Sequence, residues 1–167
     1  MIEVTLSQAE FAQATKIARG RGRKKGSKRF SKHSDIDTHL IGMVGEFAFG
    51  KATGLQVQTD VSLGGDNGVD FLVNDMGLQV KTRSTAGYPT PDLLCRPHHA
   101  NSLYYILAYW DLITPVVVTL VGWCDRDLLI SKTKNFGRGN RYMVLRNDLT
   151  DIDSMILWAR AWAAYYA

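Results

Sequence analysis

Residues 68–82 read GVDFLVNDMGLQVKT, two runs in which apolar and polar residues alternate on either side of a turn. Alternation is typical of β-strands with one buried face, because successive side chains point to opposite faces of the sheet. We predict a hairpin of strands 69–73 and 78–82 around the four-residue turn 74–77. This hairpin is the centre of the predicted fold.

The register of the predicted hairpin separates apolar from polar side chains. With a four-residue turn, Asp70 lies opposite Lys81 and Leu72 lies opposite Gln79. A slip of one residue would mix the two faces, so the pattern favours this register. The apolar face then carries Phe71, Val73, Leu78 and Val80. The polar face carries Asp70, Gln79 and Lys81.

Capping patterns and apolar runs predict the remaining elements. We expect helices at 7–18, 34–52, 125–132 and 150–166, with Gly54 ending the second helix. We expect strands at 2–6, 55–60, 102–110 and 115–123, and an edge strand at 142–145. Residues 84–101 and 135–141 are predicted to be irregular, the latter a glycine-rich basic loop. The predicted fold class is α/β, with a mixed central β-sheet flanked by helices.

The composition is ordinary for a globular protein. A chain of 167 residues, 46% hydrophobic and 22% charged, fits one domain over 1–167. No apolar run approaches the roughly 20 residues of a membrane span, and the N-terminal residues do not resemble a secretory signal. Two cysteines do not make a disulfide framework, so we expect a cytoplasmic protein without a membrane partner.

The net charge of +4 comes from one segment. Eight cations and no acid lie within residues 19–32, namely Arg19, Arg21, Arg23, Lys24, Lys25, Lys28, Arg29 and Lys32. We predict a basic loop over 19–33, disordered without its partner, that contacts nucleic-acid phosphates. Arg83, Arg138 and Arg141 are weaker candidates for the same role. The alternative for the segment is a solubilising tail or a localisation signal.

The predicted second helix places a carboxylate near glycines. Gly42, Glu46 and Gly50 recur at spacings of four, which leaves room beside Glu46 for a backbone or a phosphate. Asp70 and Glu46 carboxylates and the backbone carbonyl of Val80 are oxygen ligands of the kind that Mg²⁺ prefers. Such an ion polarises a phosphate and acidifies bound water, and Lys81 suits the role of orienting or deprotonating that water.

The segments 45–46, 68–71 and 79–81 resemble the PD-(D/E)XK nuclease superfamily. That superfamily includes restriction endonucleases, Holliday-junction resolvases and phage recombination nucleases. The resemblance covers about residues 34–123 in spacing and only a few positions in identity. Glu46 matches the helix glutamate, Asp70 the motif aspartate and Lys81 the motif lysine. Gln79 stands at the second acidic position, as in members that use the helix glutamate to complete the site.

The resemblance implies a restriction-endonuclease-like fold and a Mg²⁺-dependent endodeoxyribonuclease, in which Mn²⁺ substitutes for Mg²⁺. Glu46, Asp70, Gln79 and the Val80 carbonyl would then hold the metal, and Lys81 would act on water and the transition state. It further suggests branched or junction DNA as substrate, in recombination, repair or phage DNA processing. Two alternatives stay open: a non-catalytic nucleic-acid-binding module on the same fold, and an interaction protein whose basic segment binds an acidic partner.

Three local patterns have simpler interpretations. An Asp–Lys pair on a hairpin is often an exposed cross-strand ion pair, and a lone helical glutamate is often solvated. A zinc site is disfavoured for Cys95, His98, His99 and Cys124, whose spacing is not that of a zinc finger. The aromatic last helix is either a core helix of a monomer or the interface of a homodimer.

Overall fold

The computed structural model of the protein describes residues 1–24, 38–59, 68–84, 91–113, 115–137 and 139–166. These residues form an α/β fold in which a curled, mixed β-sheet is flanked by helices, as the sequence predicts. In the described ranges no helix combines the length and the apolar character needed to cross a bilayer.

The described part of the chain contains nine strands and four α-helices. The strands are β1 (Ile2–Thr5), β2 (Phe71–Val73), β3 (Met76–Ser84), β4 (Leu93–Cys95), β5 (Tyr104–Trp110), β6 (Val117–Asp125), β7 (Thr133–Asn135), β8 (Asn140–Val144) and β9 (Thr150–Asp151). The helices are α1 (Gln8–Lys24), α2 (Thr38–Thr53), α3 (Arg126–Ser131) and α4 (Ile152–Tyr166).

The strands form two sheets. The main sheet has the order β1-β6-β5-β3-β2, and β9 also pairs with β6. Its β3–β5 pair is parallel and its other pairs are antiparallel. The smaller sheet has the order β4-β8-β7 and is antiparallel throughout.

Each face of the main sheet covers a core of its own. The first core packs the sheet against α1, α2 and α4 and includes Val44, Phe47, Phe71, Leu78, Val80, Ile106, Leu120 and Ile156. The second core packs the opposite face against the smaller sheet and α3, and includes Leu93, Cys95, Tyr105, Leu107, Cys124, Leu129 and Val144. Because β3 alternates, Val80 enters the first core, and Gln79 and Lys81 lie on the opposite face. The candidate site therefore sits where α2, β3 and the smaller sheet approach one another.

The β2–β3 hairpin confirms the predicted faces and corrects the predicted turn. Asn74 and Asp75 have φ values of 49° and 59°, the left-handed conformation that a two-residue hairpin turn requires. Val73 therefore pairs with Met76, and the predicted four-residue turn is wrong. Continuing the register places Asp70 opposite Gln79, where we expected Lys81. The shift is two residues, so it leaves every side chain on its predicted face.

Helix α1 begins as predicted and ends later than predicted. The Ser7 backbone N–H donates to Glu10 Oε2 at 2.6 Å, and the Glu10 N–H donates to Ser7 Oγ at 3.2 Å, which is the expected capping box. The helix continues to Lys24, so the loop predicted from residue 19 onward is wrong for residues 19–24. Arginine and lysine are good helix formers, and the helix continues through this stretch although Gly20 and Gly22 disfavour it. Residues 25–33 of the predicted loop lie outside the described residues.

The other departures involve short strands paired with distant partners. The strand predicted at 55–60 is wrong for residues 55–59, which have no regular structure. The stretches predicted to be irregular, 84–101 and 135–141, instead contribute β4, the last residue of β7 and the start of β8. Strand β8 is central in the smaller sheet, where we expected an edge strand. The predicted cap of the second helix, at residues 34–37, lies outside the described residues. Gly54 ends that helix with φ +81°, as predicted.

Helix α2 crosses β3 in close contact. A Cβ atom added at Gly45 would overlap the side chain of Thr82, whose Oγ1 donates to the Gly42 carbonyl at 3.5 Å. Gly42, one turn earlier, has no atom within 4 Å of such a Cβ position. The crossing sets the height of the helix above the sheet, and Glu46 is the next residue along the helix.

We therefore expect Gly45→Ala to destabilise the protein by about 1–3 kcal/mol, the usual cost of overpacking. Gly42→Ala, the matched control in the same helix, should be neutral or stabilise by up to about 1 kcal/mol through helix propensity. Urea unfolding monitored by circular dichroism measures both differences. Equal stabilities for the two variants would contradict the close crossing.

Candidate active site and cationic cleft

The Asp70 carboxylate is fixed against the neighbouring strand. Asp70 is only 7% exposed, and its Oδ2 accepts a hydrogen bond of 2.7 Å from the backbone N–H of Val80. Its own N–H donates to the Leu78 carbonyl at 2.9 Å. Asp70 directly precedes β2. Its side chain accepts the hydrogen bond of the Val80 N–H, which a longer β2 would have accepted through a backbone carbonyl. The carboxylate thus lies beside residues 79–81, as the sequence predicts.

The same hydrogen bond gives the direction of the Val80 carbonyl. In an extended strand, the N–H and the C=O of one residue point to the same edge. The Val80 N–H points at Asp70, so the Val80 carbonyl points to that side as well. A carboxylate and a backbone carbonyl therefore share one edge of β3.

Gln79 carries an unsatisfied buried oxygen. The residue is 5% exposed, and among the residues that the structure describes its side-chain Oε1 finds no hydrogen-bond partner. Leaving such an atom buried and unpaired costs about 1–3 kcal/mol, so a native structure that retains one calls for a reason. The amide packs tightly, because a Cβ at Gly68 (φ +82°) would lie 3.1 Å from Gln79 Nε2. A cation that accepts this oxygen as a ligand would remove the penalty.

Glu46 lies in α2 beside the crossing with β3, and an arginine from α1 holds it. It is 7% exposed, and its Oε1 lies 3.4 Å from Arg21 Nη1. Arg21 Nη2 also donates to the Gln58 carbonyl at 3.3 Å. The sequence assigned Arg21 to phosphate binding, whereas the structure places its guanidinium against a candidate metal ligand. Glu46 is thus a buried, paired carboxylate, which excludes the simpler interpretation of a solvated helix residue.

Lys81 opens into a cleft of about 570 Å³ between the first turns of α2 and the smaller sheet. Thr38, Ile41 and Gly42 form the helix side of the cleft. The described residues that line the cleft include no acid and four cationic side chains: Lys81, Arg83, Arg96 and Arg141. We call this surface the cationic cleft. Its positive charge favours an anionic ligand.

The cationic cleft unites predicted and unpredicted residues. Lys81, Arg83 and Arg141 were candidates from the sequence, but Arg96 was not. Arg96 follows β4, and only the pairing of Cys95 with Tyr142 brings that segment beside Arg141. A three-residue strand in a proline-rich stretch gives no periodic signal from which this could be predicted.

The remaining predicted phosphate contacts do not reach the cleft or lie outside the described side chains. Arg19 is exposed on α1 and is not one of the residues that line the cationic cleft. The side chains of Arg23, Lys24, Lys25, Lys28, Arg29, Lys32 and Arg138 belong to parts of the chain that the structure does not describe, although the backbone of residues 23 and 24 is helical. Their role in binding stays a prediction.

The two cysteines belong to the second core. Both are buried, unpaired thiols. Burial raises the pKa of Cys124 to about 12, with the charges of Asp125 and Cys95 adding to the rise. Burial also raises the pKa of Cys95, an effect that the positive charge of Lys81 partly offsets. His98 and His99 are exposed on a short 3₁₀ turn, with ring centroids 4.2 Å apart. Cys95 and Cys124 therefore pack inside the second core.

Comparison of the chain with protein-family models, with curated proteins and with solved structures gave no match. Any function must therefore be argued from the geometry of this chain.

The donor set at the end of the hairpin fits a hard divalent cation. Within the described residues no group of three or more His, Cys, Asp or Glu side chains could hold a metal. Mg²⁺, however, binds through one or two carboxylates and keeps several waters. The Asp70 carboxylate and the Val80 carbonyl share one edge of β3, and the Gln79 oxygen belongs to the neighbouring residue of that strand. Helix α2 carries Glu46 onto the other face of the same strand, the face of Val80.

The Arg21–Glu46 pair generates a stability prediction. Arg21→Ala should destabilise the protein by about 1–3 kcal/mol, because a nearly buried carboxylate loses a charged donor. Arg19→Ala removes the same charge from an exposed position of the same helix and should stay within about 0.5 kcal/mol of wild type.

Urea unfolding of the two variants measures both effects. The double variant Arg21→Ala/Glu46→Gln should recover part of the loss, since it removes the uncompensated charge. Equal unfolding free energies for Arg21→Ala and Arg19→Ala would show that the ion pair contributes nothing.

Proposed function

We propose that the protein is a Mg²⁺-dependent endodeoxyribonuclease of the PD-(D/E)XK type, with a restriction-endonuclease-like fold. The observation that carries the proposal is the buried, unsatisfied Gln79 oxygen beside the fixed carboxylate of Asp70. Polar atoms without partners inside a fold are rare, and this one lies two residues from a lysine that faces a cationic cleft. The arrangement agrees with the motif resemblance of residues 45–46, 68–71 and 79–81.

The metal-binding residues in this proposal are Glu46, Asp70, Gln79 and Val80, the last through its carbonyl. When bound, Mg²⁺ or Mn²⁺ supplies Lewis-acid polarisation of the scissile phosphate and acidifies a water molecule. The two carboxylates supply the negative charge that retains a divalent ion, and the Gln79 amide contributes an oxygen without charge. Glu46 replaces the second acid that the hairpin lacks.

Lys81 acts on the substrate side of the site. Its ammonium group opens into the cationic cleft, where a phosphate is drawn by Arg83, Arg96 and Arg141 as well. A positive charge at this position orients the attacking water and stabilises the negative charge that develops on the phosphate. The arginines bind the flanking phosphates, a contact that positions the strand and carries no base sequence.

Two features support finer parts of the proposal. Helix α4 exposes Leu157, Tyr165 and Tyr166, which are 66%, 81% and 63% exposed, and a second copy on this face would supply two sites for cutting two strands. The thiols of Cys95 and Cys124 stay unpaired, as is usual in the cytoplasm. Branched or junction DNA, met in recombination, repair or phage DNA processing, is the proposed substrate.

A non-catalytic nucleic-acid-binding module is the second candidate. The favouring observation is the Arg21–Glu46 ion pair, which occupies the carboxylate that the metal would need. The cationic cleft would bind phosphates equally well without chemistry. Binding by either candidate should weaken steeply as salt rises, because phosphate contacts release counterions.

Lys81→Ala separates the two candidates. It should lower Mg²⁺-dependent cleavage by about 100-fold or more, the usual cost of losing a group that acts in the transition state. Lys16→Ala, an exposed lysine of α1, is the control and should cleave at the wild-type rate. The assay uses linear, nicked and four-way DNA with and without Mg²⁺, with the cuts mapped. Cleavage by Lys81→Ala at the wild-type rate would refute the assignment, and no cleavage by wild type would favour the binding module.

Substitutions at Gln79 test the metal site without any need for turnover. Gln79→Glu adds a negative charge and should bind Mn²⁺ more tightly than wild type, whereas the near-isosteric Gln79→Leu removes the oxygen and should bind it more weakly. Calorimetric titration gives the affinities. The melting temperature of Gln79→Glu should also rise most with added Mn²⁺, because a ligand of the native state stabilises it. Equal Mn²⁺ affinities for the three proteins would exclude Gln79 as a ligand.

A further inference from the structure

Strands β7 and β8 form an exposed hairpin with an aromatic residue at its tip. All three residues of β7 are exposed, and Phe136, which follows them, is 40% exposed. The Asn135 side chain accepts a hydrogen bond of 2.8 Å from the Gly137 N–H, and the Phe136 N–H donates to the Gly139 carbonyl at 3.4 Å. The described backbone around residue 136 therefore presents a large apolar side chain to solvent.

Two cations flank this ring. Lys134 and Arg141 are direct cross-strand partners, and their charged groups lie 5.7 Å and 5.8 Å from the centroid of the Phe136 ring. Like charges directly opposite each other destabilise a ladder, and residues 128–147 contain no acid to compensate them. The ring attracts both cations only modestly at an exposed site. The hairpin thus carries two neighbouring positive charges that an anionic ligand would neutralise.

Arg141 connects the hairpin to the cationic cleft. Its guanidinium lies over Phe136, and the same residue lines the cleft that Lys81 enters. A polyanion bound in the cleft would therefore contact Arg141, which lies next to the Phe136 ring at the hairpin tip. Phosphates compete with the ring for Lys134 and Arg141, and a cation that turns to a phosphate leaves the ring face open to a planar base.

We propose that Phe136 stacks on an unpaired base of the bound nucleic acid, so that the protein selects DNA with single-stranded character beside the site of cleavage. The proposal rests on the proposed function for the identity of the polyanion, which is DNA. It adds the feature of that DNA that the protein recognises, an unpaired base. Stacking on an aromatic side chain tolerates any base, because every base has a π-face. It suits a protein whose other contacts are to phosphates.

The test is a binding experiment in EDTA, where no cleavage interferes. Fluorescence anisotropy gives affinities for three labelled probes of equal length: a single strand, the same strand with abasic sites, and a blunt duplex. Phe136→Ala should bind the single strand about 5- to 150-fold more weakly than wild type, the range expected for one stacked base. Phe136→Trp should keep wild-type affinity, and binding to the abasic strand and the duplex should change less than twofold.

Ile113→Ala is the control for loss of an exposed large apolar side chain, because Ile113 is 62% exposed and lies outside the cationic cleft and the β7–β8 hairpin. It should bind all three probes as wild type does. Circular dichroism and the melting temperature show whether each variant is folded, and Phe136→Trp keeps the test valid if Phe136→Ala is not.

Each adverse outcome points to a different error. Wild-type affinity of Phe136→Ala for the single strand would overturn the proposal even if the protein cleaves DNA. An equal loss on all three probes would also overturn it, because the hairpin would then hold only the backbone, or serve an acidic protein. If wild type cleaves nothing but shows the expected pattern, the nuclease assignment fails and the stacking stands. If wild type binds no probe, both fail.

Discussion

The candidate site depends on the hydrogen bond between the Val80 backbone N–H and the Asp70 carboxylate. Strand β3 extends past the end of β2 that lies next to Asp70. The Val80 N–H therefore has no backbone partner in β2, and the Asp70 side chain accepts its hydrogen bond instead. This hydrogen bond holds the acid beside Val80, whose carbonyl points to the same edge of β3. Without it, that edge of β3 would carry an unpaired backbone donor.

A second constraint is the close crossing of α2 over β3, which only a glycine at position 45 allows. It brings the helix that carries Glu46 down onto the strand that carries Gln79 and Lys81. The same helix then closes one side of the cationic cleft with its first turns. One short contact thus brings together the helix of Glu46, the strand of Gln79 and Lys81, and the cationic cleft.

The sequence predicts the parts of this fold that are local and periodic. The hairpin faces follow from alternation, the capping box of α1 from its spacing, and the long strands β5 and β6 from runs of aromatic and β-branched residues. What could not be predicted depends on tertiary pairing. The turn at Asn74 and Asp75 is shorter than the predicted four residues, because two non-glycine residues adopt a left-handed backbone there. Strand β4 forms only by pairing with β8, which lies about fifty residues further along the chain. Arg96 and the orphaned oxygen of Gln79 follow from those pairings, and no residue pattern indicates either one.

The topology of the main sheet has a consequence for folding. Strand β1 pairs with β6, Ile2 against Leu120, so the first strand must wait for the second half of the chain before it finds its place. Closing so long a loop costs conformational entropy before any contact is gained, and domains of such high contact order fold slowly. During synthesis, α1 and its row of arginines would emerge well before the sheet that anchors them. The protein is therefore expected to complete its main sheet only once β6 has left the ribosome.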